Sequence, residues 1–125
     1  MTVVRGIRGA TTAVENTKEA IREATRELLE EMVEANGIDL DAVAAAIFTT
    51  TQDLNAEFPA VAARQLGWTD VPLMCGHEMA VPDAQQRCVR ALVMVNTDKG
   101  PRELSHVYLR DAKNLRDRGF AEGKP

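Results

Sequence analysis

The sequence has few of the residues that metal, redox and covalent chemistry require. Only two cysteines and two histidines occur among 125 residues, whereas a zinc site usually needs four ligands at recognisable spacings. Cys75, His77 and Glu78 lie together in CGHEM, but the second histidine of an H-E-x-x-H motif and any glycine-rich phosphate-binding motif are absent. A nucleophilic thiol would also need a nearby cation or helix N-terminus. We therefore expect no bound metal, no cofactor and no covalent catalysis.

Positive charge and long apolar runs are also scarce. The formal net charge is -4 and the isoelectric point about 5.2, so the charge gives no support to nucleic-acid binding. The longest uninterrupted apolar run covers residues 42–48, far short of the ~20 residues that span a membrane. The sequence shows no signal peptide, and two cysteines fit reduced thiols in the cytosol better than a disulfide framework. We expect a soluble, cytoplasmic protein.

What the sequence does contain is the pattern of one α+β domain over residues 1–125, with a charged, mobile tail from about residue 111. Hydrophobic residues make up 45% of the chain, enough for a core. Apolar spacing predicts helices from an N-cap at Asn16 to residue 36 and over 57–66, and strands at 3–10, 43–50, 71–74, 87–96 and 104–109. The order β-α-β-α-β-β-β predicts a mixed sheet with helices packed on one face.

Arg90 breaks the pattern of its own strand. In RCVRALVMVN, alternation puts Arg90 on a face with Cys88, Leu92 and Met94, and the apolar residues on both faces predict burial. Burying an unpaired guanidinium costs at least several kcal/mol. Arg90 therefore needs an acidic partner such as Glu78, an anionic ligand or a route to solvent, and the residues alone leave these alternatives open.

Two further polar residues lie in predicted strands. Arg8 shares a face with Gly6, which leaves room for a ligand, although either Arg8 or Arg5 could simply be exposed. Tyr108 lies among apolar neighbours, so its hydroxyl needs a partner, either a backbone carbonyl or a ligand. With Arg90, one thiol and one carboxylate, they form a set suited to holding a small hydroxylated polyanion rather than to transferring protons.

Five blocks follow one another between Arg5 and Arg116: RGIRGATT, TTTQDLNAEFPAVAARQLGW, VPLMC..EM, RCVRALVMVNTD and HVYL.....LR. In this order they resemble the trimeric, α/β-barrel-like monofunctional chorismate mutases. The resemblance implies an intramolecular rearrangement of chorismate to prephenate, in phenylalanine and tyrosine biosynthesis, without a cofactor. It also implies a homotrimer with a central barrel-like core and with active sites in clefts between neighbouring subunits.

The resemblance assigns roles to residues motif by motif. The implied catalytic residues are Arg8, which grips a carboxylate, Arg90, which lies near the ether oxygen, and Glu78, which binds the ring hydroxyl. Cys75 would bind the same hydroxyl and Tyr108 a carboxylate. The other residues implied to bind the substrate are Met74 through its backbone, Leu115 and Arg116 from the tail, and Phe58, Ala60 and Arg64 from the adjacent subunit.

The sequence departs from the family pattern at three places. Val61 stands where some members have Lys, which removes one cation from the rim of the cleft. Met74 stands where a smaller polar residue can occur, and the tail reads LRDR rather than the frequent LRPD. The substrate contacts at the rim and at the C-terminal lid are therefore the ones in which this chain should differ most.

Two questions stay open at this stage. In a regular strand Cys75 and Glu78 face opposite ways, so one shared pocket requires the strand to end or turn near Gly76, the residue best able to allow it. A trimeric imine or enamine deaminase of similar architecture is an alternative function, and a non-catalytic trimer that binds an anion is another, because fold alone does not separate them.

Overall fold

The computed structural model describes the backbone of residues 1–117 and the side chains of residues 1–115. The α-helices are α1 (Lys18–Asn36) and α2 (Ala60–Gln65), and the strands are β1 (Val3–Thr12), β2 (Val43–Thr50), β3 (Leu73–His77), β4 (Cys88–Thr97) and β5 (Val107–Tyr108). Short 3₁₀ helices lie at Leu40–Ala42, Pro101–Glu103 and Arg110–Asp117. The predicted order of elements is confirmed. Within the described residues, no helix combines the length and apolarity that crossing a membrane requires.

The strands form one five-stranded mixed sheet in the order β3-β2-β4-β1-β5. β4 lies at its centre and pairs antiparallel with β1 and β2, whereas the outer pairs β1–β5 and β2–β3 are parallel. A parallel pair needs a crossover connection, and α2 lies in the one between β2 and β3. The α+β class predicted from the sequence is confirmed.

Both helices begin later than predicted, each for a local reason. Thr17 rather than Asn16 is the N-cap of α1, because its hydroxyl accepts a hydrogen bond from the Ala20 N–H at 3.1 Å. Pro59 is the N-cap of α2, so this helix starts at Ala60. A proline at the start of a helix costs no helical hydrogen bond, because the first N–H groups have no partner within the helix. The predicted end of α1 is confirmed by Gly37, whose positive φ of 59° forms the C-cap.

The two outer strands also differ from the predicted ones. β3 does not stop at Met74 but runs through Gly76 to His77, because these residues pair with Thr49 and Thr50 of β2. β5 is only two residues long, since only its pairing with the second half of β1 holds it in the sheet. A longer β2–β3 ladder carries the alternation of side chains further than the sequence pattern indicated.

The helices cover one face of the sheet, as predicted. The fully buried side chains of the core between this face and the helices come from strands, helices and the loop after α2, and they include Ile7, Leu28, Met32, Phe48, Trp68 and Val93. Gly9 allows α1 to approach β1 closely, because a Cβ at this position would lie 3.0 Å from Leu28 Cδ1 and would overlap the Met32 sulfur. The core therefore fixes which face of each strand turns toward the helices.

The opposite face of the sheet is open in the single chain. Val4, Ile47 and Leu92 lie on it and keep 55%, 36% and 36% of their surface exposed, and the Arg90 side chain is 48% exposed. The prediction that both faces of β4 are buried is wrong for the single chain, because the helices pack only against the face that carries Val93. Arg90 therefore has direct access to solvent.

We expect Gly9→Ala to destabilise the fold, because the added methyl group would press on Leu28 and Met32, which are fully buried. Overpacking of this kind costs roughly 1–3 kcal/mol, measurable as a lower urea midpoint at a fixed protein concentration. Gly76→Ala is the matched control, since a Cβ at this strand position meets nothing within 4 Å. Equal midpoints for both variants would contradict the close approach of α1 to β1.

Candidate active site

A cavity of about 1040 Å³ lies on the open face of the sheet. Five of the predicted site residues line it: Arg8, Glu78, Arg90, Tyr108 and Leu115. Arg8 lies in β1, Arg90 in β4 and Tyr108 in β5. Glu78 directly follows β3, and Leu115 lies in the C-terminal 3₁₀ helix. The sheet thus assembles them from distant parts of the sequence. A concave site with a few convergent polar groups is the usual form of a small-molecule site.

Strand pairing puts the two predicted arginines on one wall of this cavity. Between β1 and β4, Arg8 is paired with Leu92 and Ala10 with Arg90. Residues directly opposite each other share a face of the sheet, and diagonal neighbours lie within reach of long side chains. Arg8 and Arg90 are such diagonal neighbours, so two guanidinium groups are offered to one anionic ligand.

Glu78 reaches the same wall from the end of β3, which β2 separates from β4. Its backbone N–H donates to the Thr50 carbonyl at 2.7 Å, which continues the β2–β3 ladder beyond β3. Its Oε2 lies 3.4 Å from the Arg90 Nη1 and accepts a hydrogen bond from the Thr49 hydroxyl. Arg90 thus has both an acidic partner and access to solvent, and the pair stays open to a ligand because the Arg90 side chain is half exposed.

Tyr108 borders the cavity because β5 lies along β1. Ala10 pairs with Tyr108, and the Leu109 N–H donates to the Ala10 carbonyl at 2.9 Å. Since Ala10 is itself the partner of Arg90 on β4, Tyr108, Ala10 and Arg90 form a row across three strands on the open face. The phenol is therefore two strands from the guanidinium and half-buried at the edge of the sheet.

The C-terminal 3₁₀ helix brings Leu115 to the cavity. Arg110 holds this helix against the sheet, since its Nη1 donates to the Thr12 carbonyl at 2.8 Å and its Nε to Glu27 Oε1 at 3.2 Å. Leu115 then borders the cavity. The Arg116 side chain and the part of the predicted tail after residue 117 lie outside the described residues.

Four of the other predicted residues form a second group, away from this cavity. Cys75 pairs on β2 with a residue of the buried core, on the helix-covered face of the sheet. The Ala60 N–H at the start of α2 donates to its sulfur, the Arg64 charge lies nearby, and Phe58, just before α2, is 66% exposed. We call Phe58, Ala60, Arg64 and Cys75 the α2–β3 group. Met74 does not belong to it, because it pairs with Ile47 and its side chain therefore lies on the open face.

The prediction of one pocket for Cys75 and Glu78 is therefore wrong within a single chain. The strand was expected to end or turn near Gly76, but β3 continues through Gly76 to His77. Regular alternation then sends the side chains of positions 75 and 78 to opposite faces of the sheet. Only Glu78 faces the cavity.

Both cysteines are held as neutral thiols. Burial raises the pKa of Cys75, and the Ala60 N–H and the Arg64 charge offset this only in part. Burial also raises the pKa of Cys88 to about 11, despite the nearby Arg90. The thiolate is the reactive form of cysteine, so these side chains are suited to hydrogen bonding rather than to nucleophilic attack.

The described part of the chain contains no group of three His, Cys, Asp or Glu side chains arranged to hold a metal ion. His77, which stood out in CGHEM, lies near Thr50 on the neighbouring strand, with its Nδ1 3.2 Å from the hydroxyl. It does not border the cavity. The three polar residues of CGHEM therefore lie in three different places: Cys75 beside α2, His77 beside Thr50 and Glu78 at the cavity.

Two cavity residues that hydrogen-bond to predicted site residues are not identified by the sequence pattern. Thr49 lies between Arg90 and Gly76 in strand register and binds the Glu78 carboxylate. His106 lines the cavity, and its Nδ1 accepts a hydrogen bond from the Arg8 N–H at 2.9 Å. Alternation back from Tyr108 could have found His106, because positions 106 and 108 share a face. Nothing in the sequence indicated which face of β2 was open.

Comparison with known proteins identifies the family of the chain. The family model of chorismate mutase type I matches residues 4–118. A chorismate mutase from Thermus thermophilus is 53% identical over 115 residues, which cover 91% of this chain and 94% of the relative. One from Bacillus subtilis (strain 168) is 41% identical and covers 91% of each chain. The solved chorismate mutase from Clostridium thermocellum superposes with a TM-score of 0.87 at 49% identity, covering 89% of this chain and 99% of the other.

The chain therefore belongs to the chorismate mutase type I family. It is accordingly an isomerase, a chorismate mutase, as the resemblance implied. The family match, the relatives and the solved structure all agree on this activity, so the deaminase and the non-catalytic anion-binding trimer are not favoured.

We expect Thr49→Val to lower kcat for chorismate about tenfold, because the Glu78 carboxylate loses a hydrogen bond that fixes its position beside Arg90. Valine keeps the shape of threonine, so the fold should be unaffected. Thr49→Ser retains the hydroxyl and should keep most of the activity. The measurement is the rate of chorismate loss at saturating substrate, and a valine variant with the serine variant's kcat would contradict this role.

Proposed function

We propose that the chain converts chorismate to prephenate in the cavity on the open face of the sheet, as a subunit of a cytoplasmic homotrimer with active sites between neighbours. The observation that carries this proposal is the convergence of Arg8, Glu78 and Arg90 on one wall of the cavity. Chorismate carries two carboxylates and a ring hydroxyl. Two guanidinium groups and one carboxylate complement them, because a planar guanidinium binds a carboxylate in a fork.

The reaction explains why these residue types suffice. One C–O bond breaks while one C–C bond forms within the substrate, so no proton moves and no covalent intermediate forms. The barrier falls when the substrate side chain is held over the ring, and when charge that develops on the ether oxygen is stabilised. Fixed cations and hydrogen bonds perform both tasks.

We assign Arg90 to the ether oxygen and Arg8 with Tyr108 to the substrate carboxylates. The Glu78 Oε2 is already engaged by Thr49 and Arg90, so its other oxygen, Oε1, accepts the ring hydroxyl. Glu78 also limits the motion of Arg90, which keeps the guanidinium in place before the substrate arrives. Arg90 raises kcat only insofar as its bond to the ether oxygen is stronger in the transition state than in the ground state.

We assign the α2–β3 group to the active site of the adjacent subunit. The resemblance gave Phe58, Ala60 and Arg64 this role, and we now add Cys75, because its sulfur accepts from the Ala60 N–H and lies on the face opposite to Glu78. Large exposed side chains such as Phe58 are typical of surfaces that bind a partner. Arg64 would add a third cation to the cleft, on a chain whose net charge is -4.

The open face of the sheet supports association of this kind. Val4, Ile47 and Leu92 expose apolar surface there, and a second copy that covered them would form the barrel-like core. Leu115 and Arg116 would close the cleft from the C-terminal side. The two cysteines are free thiols, which suits the reducing cytoplasm.

Arg90→Lys should reduce kcat roughly 10²–10³-fold, although the charge is kept, because a compact ammonium cannot reproduce the fork of the guanidinium. The measurement is chorismate turnover at saturating substrate. Arg26→Lys is the control, since Arg26 forms its ion pairs with Glu23 and Glu30 on the surface of α1. Turnover of Arg90→Lys close to that of Arg26→Lys would contradict the role of Arg90.

Mixing two inactive variants tests the shared site. Arg64→Ala and Arg90→Ala should each be nearly inactive alone, because they damage opposite halves of the same site. In a ring of mixed subunits, an intact site needs an Arg90→Ala chain to supply Arg64 and an Arg64→Ala chain to supply Arg90, which random mixing gives in about a quarter of sites.

We therefore expect an equimolar mixture, unfolded and refolded together, to regain about a quarter of wild-type activity per chain. The same variants refolded separately and then combined without exchange serve as the control. Activity that never exceeds the sum of the two parents would show that Arg64 and Arg90 do not meet across subunits.

A further inference from the structure

His106 occupies a position that strand β5 does not fill. β5 pairs with β1 from Gly9 and Val107 onward, and Arg8 lies one residue before that pairing. The Arg8 N–H therefore meets no carbonyl of β5. It donates instead to the His106 Nδ1 at 2.9 Å, so the imidazole ring continues the ladder by one hydrogen bond.

This hydrogen bond fixes the state of the ring. An Nδ1 that accepts a hydrogen bond carries no proton, so His106 is neutral and its ring proton is on Nε2. Protonation would place an N–H on Nδ1, directly facing the Arg8 N–H. The bond would then be replaced by a repulsive contact, and a new positive charge would appear beside the Arg8 guanidinium.

The surroundings of His106 favour the neutral ring. Burial, and secondly the Arg8 charge, lower the pKa of His106 from its ordinary value. The charged or titratable groups that border the same cavity are Arg8, Arg90, Glu78 and Tyr108. A base with a lowered pKa keeps its neutral form through neutral pH and gains a proton only as the pH falls through that lowered value.

We propose that His106 is a positioning residue, which in its neutral form holds the Arg8 segment of β1 so that the guanidinium points into the active-site cavity. It acts through Arg8 and takes no part in the bond changes. The proposal rests on the proposed function, because Arg8 matters to catalysis only as the ligand of a substrate carboxylate. It adds a pH-sensitive step to a reaction that itself moves no proton.

Three variants separate this role from a structural one. His106→Asn keeps an acceptor oxygen near the position of Nδ1 but cannot be protonated, and His106→Leu keeps bulk but removes the acceptor. His77→Asn is the control, because His77 is the only other histidine in the sequence and lies away from the cavity. For each variant, kcat and KM for chorismate are measured between about pH 5 and 9.

We expect kcat/KM of the wild type and of His77→Asn to fall on the acid side of neutrality, as His106 becomes protonated. His106→Asn should retain most of kcat/KM at neutral pH and lose this acid limb. His106→Leu should lose roughly three- to tenfold in kcat/KM relative to wild type at neutral pH and above, mainly through KM, because one hydrogen bond that orients a substrate ligand is missing, and it should also lack the acid limb. An acid limb that persists in His106→Asn would overturn the proposal.

Nitrogen-15 NMR of the imidazole in His77→Asn tests the hydrogen bond without reference to activity. A neutral ring with its proton on Nε2 at neutral pH is expected, and a proton on Nδ1 would overturn the proposal. If His106→Leu fails to fold, the asparagine variant and the NMR spectrum still decide. An intact Nε2–H tautomer in a protein that does not convert chorismate would instead contradict the proposed function.

Discussion

The two-faced sheet is the constraint on which the site depends. Helix packing buries Ile7 of β1 and Val93 of β4, which are paired with each other, and alternation then sends Arg8 and Arg90 to the opposite face. A slip of β4 by one residue would turn Arg90 into the core beneath α1, at a cost of several kcal/mol. The apolar core thus specifies the register, and the register places the two guanidinium groups on one wall.

On the open face, the two arginines can bind an anion without being buried as charges in the free chain. Arg8 and Arg90 do not need a buried counter-ion, because the open face leaves them in contact with solvent until a ligand binds. Glu78 offsets part of their mutual repulsion and holds Arg90 at 3.4 Å. Because the overall charge is -4 and charges are screened beyond ~8 Å at physiological salt, the attraction of an anion must come from this local cluster.

Much of this could be predicted from the sequence, and the remainder required the pairing of strands. Alternation within β1 and β4 identified Arg8 and Arg90, and the Asn36–Gly37 pair correctly ended α1. The same apolar alternation does not distinguish a face that packs on helices from one that is open to solvent, so it predicts a buried Arg90. The contact of Thr49 with Glu78 depends on which strands are neighbours, which local spacing does not encode, whereas alternation from Tyr108 puts His106 on the cavity face but does not reveal its bond to Arg8.

Cys75 of the α2–β3 group and Glu78 together bear on the assembly of the site. Cys75 and Glu78 are three residues apart on one continuous strand and its extension, yet the sheet lies between their side chains. No rotamer change brings both to one ligand, so a site that uses both must draw them from different chains. In the proposed homotrimer, the regularity of β3 through Gly76, rather than any special turn, would make assembly a condition of catalysis. A single straight strand would then serve two active sites, Glu78 in one and Cys75 in the next.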